Sequence, residues 1–282
     1  MRAKDINIRD PFILAENGTY YLYGTRAASF GRYVGGFDVY TSADLAEWSD
    51  PVPCFTSADY GLNTEVNWAP EVHRWRGAYY MFATFTKDNG LRGTFVLKAD
   101  RPEGPFRPHS DGAVTPYDWE CLDGTLHVED GKPYLVFCHE HTQIIDGTIC
   151  YLPLCDDLFA AAGEPTLLFH GSDPSYVPKR PDGRHYVTDG PFLYKTTGGA
   201  LLMLWSTILH GQYAECLVRF PDGSITGAFE HLPPLIDSDG GHGMLFLAND
   251  LLLFTYHTPN SSGDERVAIV PVEDTGDIIQ LM

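Results

Sequence analysis

Three aspartates begin segments of this chain that are far apart in sequence. Asp10 begins DPFILAENGTYYLYGT, Asp123 begins DGTLHVEDGKPYLVF, and Asp189 begins DGPFLYKTTGGALLMLWST. Carboxyl groups around one pocket can divide acid–base work, because one can keep a proton while another stays ionised. Hydrolysis of a glycosidic bond needs this division, since one carboxylic acid protonates the leaving oxygen while a carboxylate activates water or attacks the sugar. The three aspartates therefore predict a hydrolytic site, provided that the fold brings them together.

A purely structural explanation exists for each of these residues alone. An Asp before Pro or Gly commonly starts a turn, and its carboxylate caps backbone N–H groups. Turn formation alone does not require three such residues to recur at one position of a repeated pattern. We therefore favour the functional interpretation.

The repeated pattern is a hairpin. Two more segments, APEVHRWRGAYYMFATF and HGMLFLANDLLLFTYH, share it with the three above. Each has a short apolar strand, a turn with Gly or Asn/Asp, and a second apolar strand. Eight positions before the turn residues Gly18, Gly77, Gly131 and Asp250 stand Asp10, Ala69, Asp123 and His242. Asp189 lies one or two places further from its turn residues, Gly198 and Gly199.

Five hairpins at intervals of about 50 to 65 residues predict an all-β fold, a five-bladed β-propeller. Aromatic residues make up 13% of the chain, with 28 Gly and 20 Pro, which favours short strands and tight turns. A more polar strand pair follows each hairpin, so each blade should hold four antiparallel strands around a central channel. We expect a single domain over residues 1–282, with C-terminal residues completing the first blade. Equivalent strand starts in such a ring converge on its axis.

The composition restricts the partners. A net charge of −19 argues against nucleic acid, whose phosphates require a basic surface. No segment resembles a membrane span or an apolar signal core. The six cysteines show no CxxC pair, so we interpret them as reduced residues of a cytoplasmic protein. Long connections at 26–36, 54–68, 107–122, 170–187 and 231–241 are expected on the face where the inner strands begin.

The motifs, taken in order, resemble those of glycoside hydrolase family 43. They are RDPFIL with YYLYGT, NWAPEVHRWRGAYYMFATF, CLDGTLHVEDGKPYLVF, DGPFLYKT and GGHGM, and they extend from about residue 6 to 259. The family has a five-bladed propeller fold and comprises mainly α-L-arabinofuranosidases, β-xylosidases and endo-arabinanases. The resemblance implies an inverting mechanism in which Asp10 is the general base and Asp123 orients the acid and adjusts its pKa. The family's general acid, usually Glu in an EGP-like motif, matches Asp189 in TDGP.

This Asp in place of Glu is a departure from the family pattern. Its side chain is one methylene shorter, and a displacement of about 1 Å can cost about a hundredfold in rate. Asp189 could still be the acid in an adjusted pocket, or Glu71 or Glu215 could supply the proton. The chain could also be a weakened or inactive relative that binds sugar.

Three further residues are candidates for the site. The resemblance implies that His242, in GGHGM, binds a calcium or sodium ion in the channel, directly or through water; a buried, hydrogen-bonded His is the alternative. No pattern indicates an organic cofactor. Trp68 is a candidate for stacking on a sugar, or else a core residue. Glu71 is a candidate for polar substrate contacts, since it should share a side of its strand with Ala69, or else it pairs with a neighbouring His or Arg.

The sequence thus predicts an inverting, exo-acting glycosidase for arabinose- or xylose-containing oligosaccharides. A non-catalytic carbohydrate-binding propeller is the alternative function.

Overall fold

The computed structural model describes residues 1–26, 35–179 and 185–282, which form five four-stranded antiparallel sheets. The five-bladed β-propeller is therefore confirmed. Blade 1 holds β1–β4, blade 2 β5–β8, blade 3 β9–β12, blade 4 β13–β16 and blade 5 β17–β20. The strands are Ile8–Glu16, Thr19–Arg26, Phe37–Ser42, Val52–Phe55, Asn67–Trp75, Ala78–Thr86, Arg92–Ala99, Arg107–Pro108, Cys121–Glu129, Lys132–His139, Thr148–Pro153, Thr166–His170, Asp189–Lys195, Leu201–Leu209, Gln212–Phe220, Glu230–Ile236, Gly241–Ala248, Leu251–Thr258, Arg266–Asp274 and Ile279–Leu281.

Helical structure in the described residues is limited to short segments. They are a single α-helical turn at His141–Ile144 and 3₁₀ turns at Ala3–Asp5 and Ser57–Tyr60. None of these helices is long and apolar enough to cross a membrane. The expected connection at 231–241 is largely strand β16, so that expectation was wrong, and parts of the expected connections 26–36 and 170–187 lie outside the described residues.

The expectation that C-terminal residues complete blade 1 is also wrong. Every blade is built from four strands that are consecutive in the chain. Blade 1 is complete at Phe55, the end of β4, so it contains no C-terminal strand. Side chains close the ring between blades 1 and 5 instead. The Asn7 amide donates to the Glu265 carbonyl oxygen at 2.7 Å, and the Arg9 guanidinium donates to the Glu265 carboxylate at 2.8 Å.

The inner hairpins turn as their sequences predict. In four of them, two successive turn residues have positive φ, as a type I′ turn requires. These pairs are Asn17 and Gly18, Arg76 and Gly77, Asp130 and Gly131, and Asn249 and Asp250. The hairpin of blade 4 has a longer connection between Lys195 and Leu201, and Gly199 has the positive φ there.

A β-bulge interrupts the beginning of each innermost strand. In each bulge two residues stand opposite one residue of the second strand, and one of the two has positive φ. This residue is Asp10, Ala69, Asp123, Gly190 or His242, with φ between 45° and 55°. The repeated position in blade 4 is therefore Gly190, and placing Asp189 in the same position as Asp10 and Asp123 was wrong. Asp189 stands one place earlier, where the other blades have Arg9, Trp68, Leu122 and Gly241.

Each bulge residue is hydrogen-bonded to the blade before it. The N–H of Ala69 donates to Thr25 Oγ1, that of Asp123 to Thr84 Oγ1, that of His242 to Ser206 Oγ, that of Asp10 to His257 Nδ1 and that of Gly190 to Asp123 Oδ2, over 2.7–3.2 Å. Four acceptors occupy one position of the second strand. Blade 3 has Cys138 at that position, a weak acceptor, and the Asp123 carboxylate accepts instead.

The hydrophobic core lies between neighbouring blades. One apolar cluster joins residues of blades 5, 1 and 2, and others join blades 2 and 3, 3 and 4, and 4 and 5. Phe82, Phe137, Trp205 and Phe254 are completely buried there. All six cysteines are free thiols, and five of them are buried, which agrees with their interpretation as reduced core residues.

The inter-blade hydrogen bonds lead to a stability prediction. Thr84→Val keeps the side-chain shape but leaves the buried Asp123 N–H without its acceptor. We expect a loss of about 1–3 kcal/mol in the free energy of unfolding, measured by chemical denaturation. The same change at Thr166, which is exposed on edge strand β12, is the control. Equal effects at the two positions would contradict the role assigned to this hydrogen bond.

Candidate active site

A cavity of about 220 Å³ lies where the innermost strands begin, and residues of all five blades line it. Four of its lining residues are carboxylic acids, namely Asp10, Asp123, Asp189 and Glu140. The remaining lining residues are Arg9, Thr25, Trp68, Arg92, Leu122, His141, Val187, Ile208, Tyr213, His242 and Asn260. The three aspartates that stand far apart in the sequence thus share one cavity.

Asp10 lies among hydrogen-bond donors and positive charges. Thr25 Oγ1 donates to its Oδ2 at 2.6 Å, and His242 Nδ1 lies 3.2 Å from its Oδ1. Burial by itself would raise the pKa of Asp10, but the charges of His242 and Arg9 outweigh burial and hold the pKa below its ordinary value. Asp10 is therefore ionised at neutral pH, as a general base must be.

His257 fixes the backbone of Asp10 as a neutral imidazole. Its ring is completely buried, and this burial lowers the pKa of His257 to about 3. Nδ1 accepts from the Asp10 N–H, so the ring proton is on Nε2, which faces Asn260 Oδ1 at 3.4 Å.

Asp123 and Asp189 form a pair whose pKa values are raised, in contrast to the pKa of Asp10. Burial and the charge of Asp189 raise the pKa of Asp123, whereas the Gly190 N–H, which donates to Asp123 Oδ2, opposes the rise. Burial and the charge of Glu140 raise the pKa of Asp189 to about 7, although the Tyr213 hydroxyl donates to its Oδ2 at 3.0 Å. The pair therefore retains a proton near neutral pH, while Asp10 does not.

Arg92 connects three residues at one wall of the cavity. Its guanidinium donates to Glu120 Oε1 and, at 2.9 Å, to Glu140 Oε2, and it lies 5.2 Å from the centre of the Trp68 ring. His141 Nε2 is 3.2 Å from Glu140 Oε1. Arg92 thereby anchors Glu140 in the cavity through Oε2.

The structure places most of the predicted residues together. Trp68 and His242 line the cavity with the three aspartates, whereas Glu71 does not. Glu71 is buried, accepts from Thr125 Oγ1 and lies 3.1 Å from His73 Nε2. The bulge at Ala69 interrupts the strict alternation of sides along β5, so Glu71 does not share the orientation of the residues before the bulge.

Glu215, the other alternative proton donor, also lies outside the cavity lining. It is completely buried, and its Oε2 accepts from Ser206 Oγ and from the Gly243 N–H, both at 3.0 Å. Burial raises the pKa of Glu215 to about 8, so it is neutral at pH 7.

Sequence analysis did not identify Glu140, Arg92 or Tyr213 as site residues. Glu140 follows directly after the last residue of β10, and a second strand ends on the face where its antiparallel first strand begins. Polar residues just beyond the second strands were therefore a usable signal, which the search for strand starts did not include.

The described residues do not form a protein cage for calcium. They contain no group of three or more His, Cys, Asp or Glu side chains arranged to hold a metal, and calcium requires six to eight oxygen ligands. The Asp123 oxygen nearest to His242, Oδ2, already accepts from the Gly190 N–H. Thr25 engages Oδ2 of Asp10, while Oδ1 of Asp10 faces His242 itself. We therefore derive no catalytic step through an ion.

Comparison with known proteins gives one family. The sequence model of glycosyl hydrolases family 43 matches residues 5–267. The crystal structure of an endo-arabinase from Bacteroides thetaiotaomicron VPI-5482 superposes with a TM-score of 0.87 at 36% sequence identity, covering 97% of this chain and 96% of that chain.

Two curated proteins match at lower identity. The extracellular endo-α-(1→5)-L-arabinanase 2 of Bacillus subtilis (strain 168) is 24% identical over 208 residues, which is 67% of this chain and 42% of that protein. The extracellular exo-α-(1→5)-L-arabinofuranosidase ArbA of Cellvibrio japonicus (strain Ueda107) is 24% identical over 151 residues, which is 48% of this chain and 41% of that protein. The chain thus spans about two fifths of the length of these two relatives.

The buried Glu215 leads to a prediction about pH-dependent stability. The pKa of Glu215 is about 8 in the folded protein and near its ordinary value of 4.5 after unfolding, so the wild type loses stability as the pH rises through this interval. Glu215→Gln cannot ionise, and its amide oxygen can still accept from Ser206. We expect the variant to gain stability over the wild type between pH 5 and pH 9, by on the order of 3 kcal/mol in unfolding free energy. Glu164→Gln, at an exposed position, should show no such gain; a parallel loss of stability in wild type and Glu215→Gln would contradict the prediction.

Proposed function

This chain belongs to glycosyl hydrolase family 43, and we propose that it hydrolyses α-L-arabinofuranosyl bonds of oligosaccharides with inversion of configuration. The observation that carries the proposal is the convergence of Asp10, Asp123 and Asp189 on one cavity of single-sugar size. Their electrostatic surroundings differ as hydrolysis requires, since one group is ionised and a coupled pair keeps a proton.

The proposed reaction has one chemical step. Asp10 accepts a proton from a water molecule, whose oxygen attacks the anomeric carbon from the side opposite to the leaving group. Asp189 donates its proton to the glycosidic oxygen as the bond from this oxygen to the anomeric carbon breaks. Asp10 ends protonated and Asp189 ionised, and proton exchange with solvent restores both. Asp123 shares the proton of the pair with the acid and, by accepting from the Gly190 N–H, holds the strand that carries Asp189.

Asp189 is the best-placed proton donor despite its short side chain. Its pKa of about 7 suits an acid that must hold a proton near neutrality, and Tyr213 fixes one of its oxygens. It is also partly exposed to the cavity, unlike the buried Glu71 and Glu215, which lie outside the cavity lining.

The names of the relatives support arabinose as the substrate sugar. The structure at 36% identity is that of an endo-arabinase, and both curated relatives act on α-(1→5)-linked arabinose according to their names. Xylose-containing oligosaccharides are the other expected class of substrate, and they should be assayed together with the arabinose-containing ones in one substrate panel.

Two observations bear differently on the mode of attack. A cavity of about 220 Å³ is smaller than the roughly 300–1,000 Å³ typical of drug-sized ligands, which supports binding of one terminal sugar and exo action. The endo-arabinase relative supports an internal attack instead. We retain exo action as our proposal because it follows from the dimensions of this site.

The cellular location of the protein and an ion bound at His242 are proposals as well. Six free thiols without a disulfide support a reducing compartment such as the cytoplasm. A calcium or sodium ion at His242 would require water for most of its ligands. The activity proposed above requires neither of these proposals.

The assignments of Asp10 as base and Asp189 as acid predict different losses of activity when each is replaced by Asn. Asp10→Asn removes the base, and we expect a fall in kcat/KM of about a hundredfold or more on all substrates. Asp189→Asn should lose about as much on oligosaccharides but much less on aryl glycosides, whose leaving groups need little protonation. Steady-state assays on both substrate types, with Asp50→Asn at an exposed position as the control, measure this. Unchanged turnover of oligosaccharides by Asp189→Asn would remove it from the acid role, and a lack of turnover by the wild type on the whole panel would favour the binding-protein alternative.

Analysis of the reaction products tests both the stereochemistry of hydrolysis and the choice between exo and endo attack. With α-(1→5)-linked arabinotriose, we expect the first product seen by proton NMR to be β-L-arabinose, because the attack inverts the anomeric centre. Chromatography of a longer linear arabino-oligosaccharide should show arabinose as the first product. Retention of configuration would contradict the role of Asp10, whereas early internal fragments would contradict only the exo mode.

A further inference from the structure

Glu140 is a carboxylic acid of the cavity without a role in the mechanism described above. Only 4% of the residue is exposed, yet it lines the same cavity as Asp189. It follows β10, a strand that packs against β13, which begins with Asp189. Its negative charge therefore stands near the proposed acid and is shielded little by solvent.

The partners of Glu140 fix this charge in place. Arg92 donates to its Oε2 at 2.9 Å, and His141 Nε2 lies 3.2 Å from its Oε1. A guanidinium donates to a carboxylate, so Glu140 accepts here and has no proton to supply on that oxygen. Arg92 itself is shared with Glu120, so its positive charge is divided between two carboxylates.

The titratable and charged groups that share the cavity with Asp189 come from all five blades. Tyr213 on β15 donates to Asp189, and the other titratable or charged groups of the cavity wall are Asp123 on β9, Asp10 and Arg9 on β1, Arg92 on β7, His242 on β17, and Glu140 with His141 after β10. Among these, Glu140 has the largest effect of any single charge on the pKa of Asp189, and it raises that pKa.

We propose that Glu140 is a positioning residue, whose buried charge, anchored by Arg92, keeps the proton on Asp189 until the glycosidic oxygen accepts it. This inference rests on the proposed function of the cavity. It assigns to the third blade a second carboxyl group, besides Asp123, that acts on the proposed acid. A carboxylic acid with a shorter side chain than Glu can then remain protonated at neutral pH although it is partly exposed.

The test compares Glu140→Gln with Glu120→Gln. Both variants remove one carboxylate partner of Arg92, but only Glu140 lines the cavity. In Glu140→Gln we expect the alkaline limb of the kcat/KM profile to move down by about one pH unit, with kcat/KM at pH 7 lowered several-fold on oligosaccharides and little on aryl glycosides. Glu120→Gln should shift the limb clearly less. Glu140→Asp, which keeps the charge, should stay closer to the wild-type profile than Glu140→Gln.

A second measurement does not depend on turnover. The infrared band of the protonated Asp189 carboxyl, assigned by its loss in Asp189→Asn, should disappear at a lower pH in Glu140→Gln than in the wild type. An unchanged band and an unchanged limb in Glu140→Gln, or equal shifts in the two Gln variants, would overturn the proposal. If the wild type hydrolyses no glycoside, the proposed function fails, while the infrared titration still decides whether Glu140 controls the proton on Asp189.

Discussion

The geometry of the site depends on one repeated constraint, a residue with positive φ in the bulge of each innermost strand. Non-glycine residues seldom adopt this conformation, which costs of order 1 kcal/mol or more at each site. Here Asp10, Ala69, Asp123 and His242 adopt it, and the N–H of each donates to a side chain of the preceding blade. The hydrogen bonds compensate the strain and direct three of these side chains towards the axis. The contacts that hold neighbouring blades together therefore also position the site.

Positive charge is distributed unequally among the three aspartates of the cavity, so their protonation states differ. His242 and Arg9 are both close to Asp10, so the positive charge at the axis stabilises one carboxylate. In the described residues, the hydrogen-bond donors to Asp123 and Asp189 are neutral, namely the Gly190 N–H and the Tyr213 hydroxyl, and burial favours the protonated forms of both acids. Three chemically identical side chains thus differ in protonation because their neighbours differ.

The sequence was sufficient where local chemistry determines the backbone. The Asn-Gly, Arg-Gly, Asp-Gly and Asn-Asp turns set the hairpins, and counting eight residues from them gives the bulge residues of four blades. The count failed in blade 4, whose hairpin connection is longer, so Asp189 was aligned with Asp10 and the true equivalent, Gly190, was missed. Glu71 was misplaced because a bulge changes the alternation of sides. Glu140 was missed because only the starts of the first strands were compared, whereas Glu140 follows the end of the second strand of its hairpin, on the same face.

The shifted position of Asp189 bears on its short side chain. It pairs with Ser206 directly before the bulge, at the position where Arg9, Trp68 and Leu122 form the cavity wall in other blades. Asp10 and Asp123 instead project from the bulge itself. An inverting hydrolase needs its base and its acid on opposite sides of the sugar, with room for a water molecule at the base. In the proposed mechanism, the acid starts from the residue before the bulge and the base from the bulge itself, so their backbone positions differ. The length of the acid's side chain is then one of two variables that set its reach, so Asp in place of Glu does not by itself exclude catalysis.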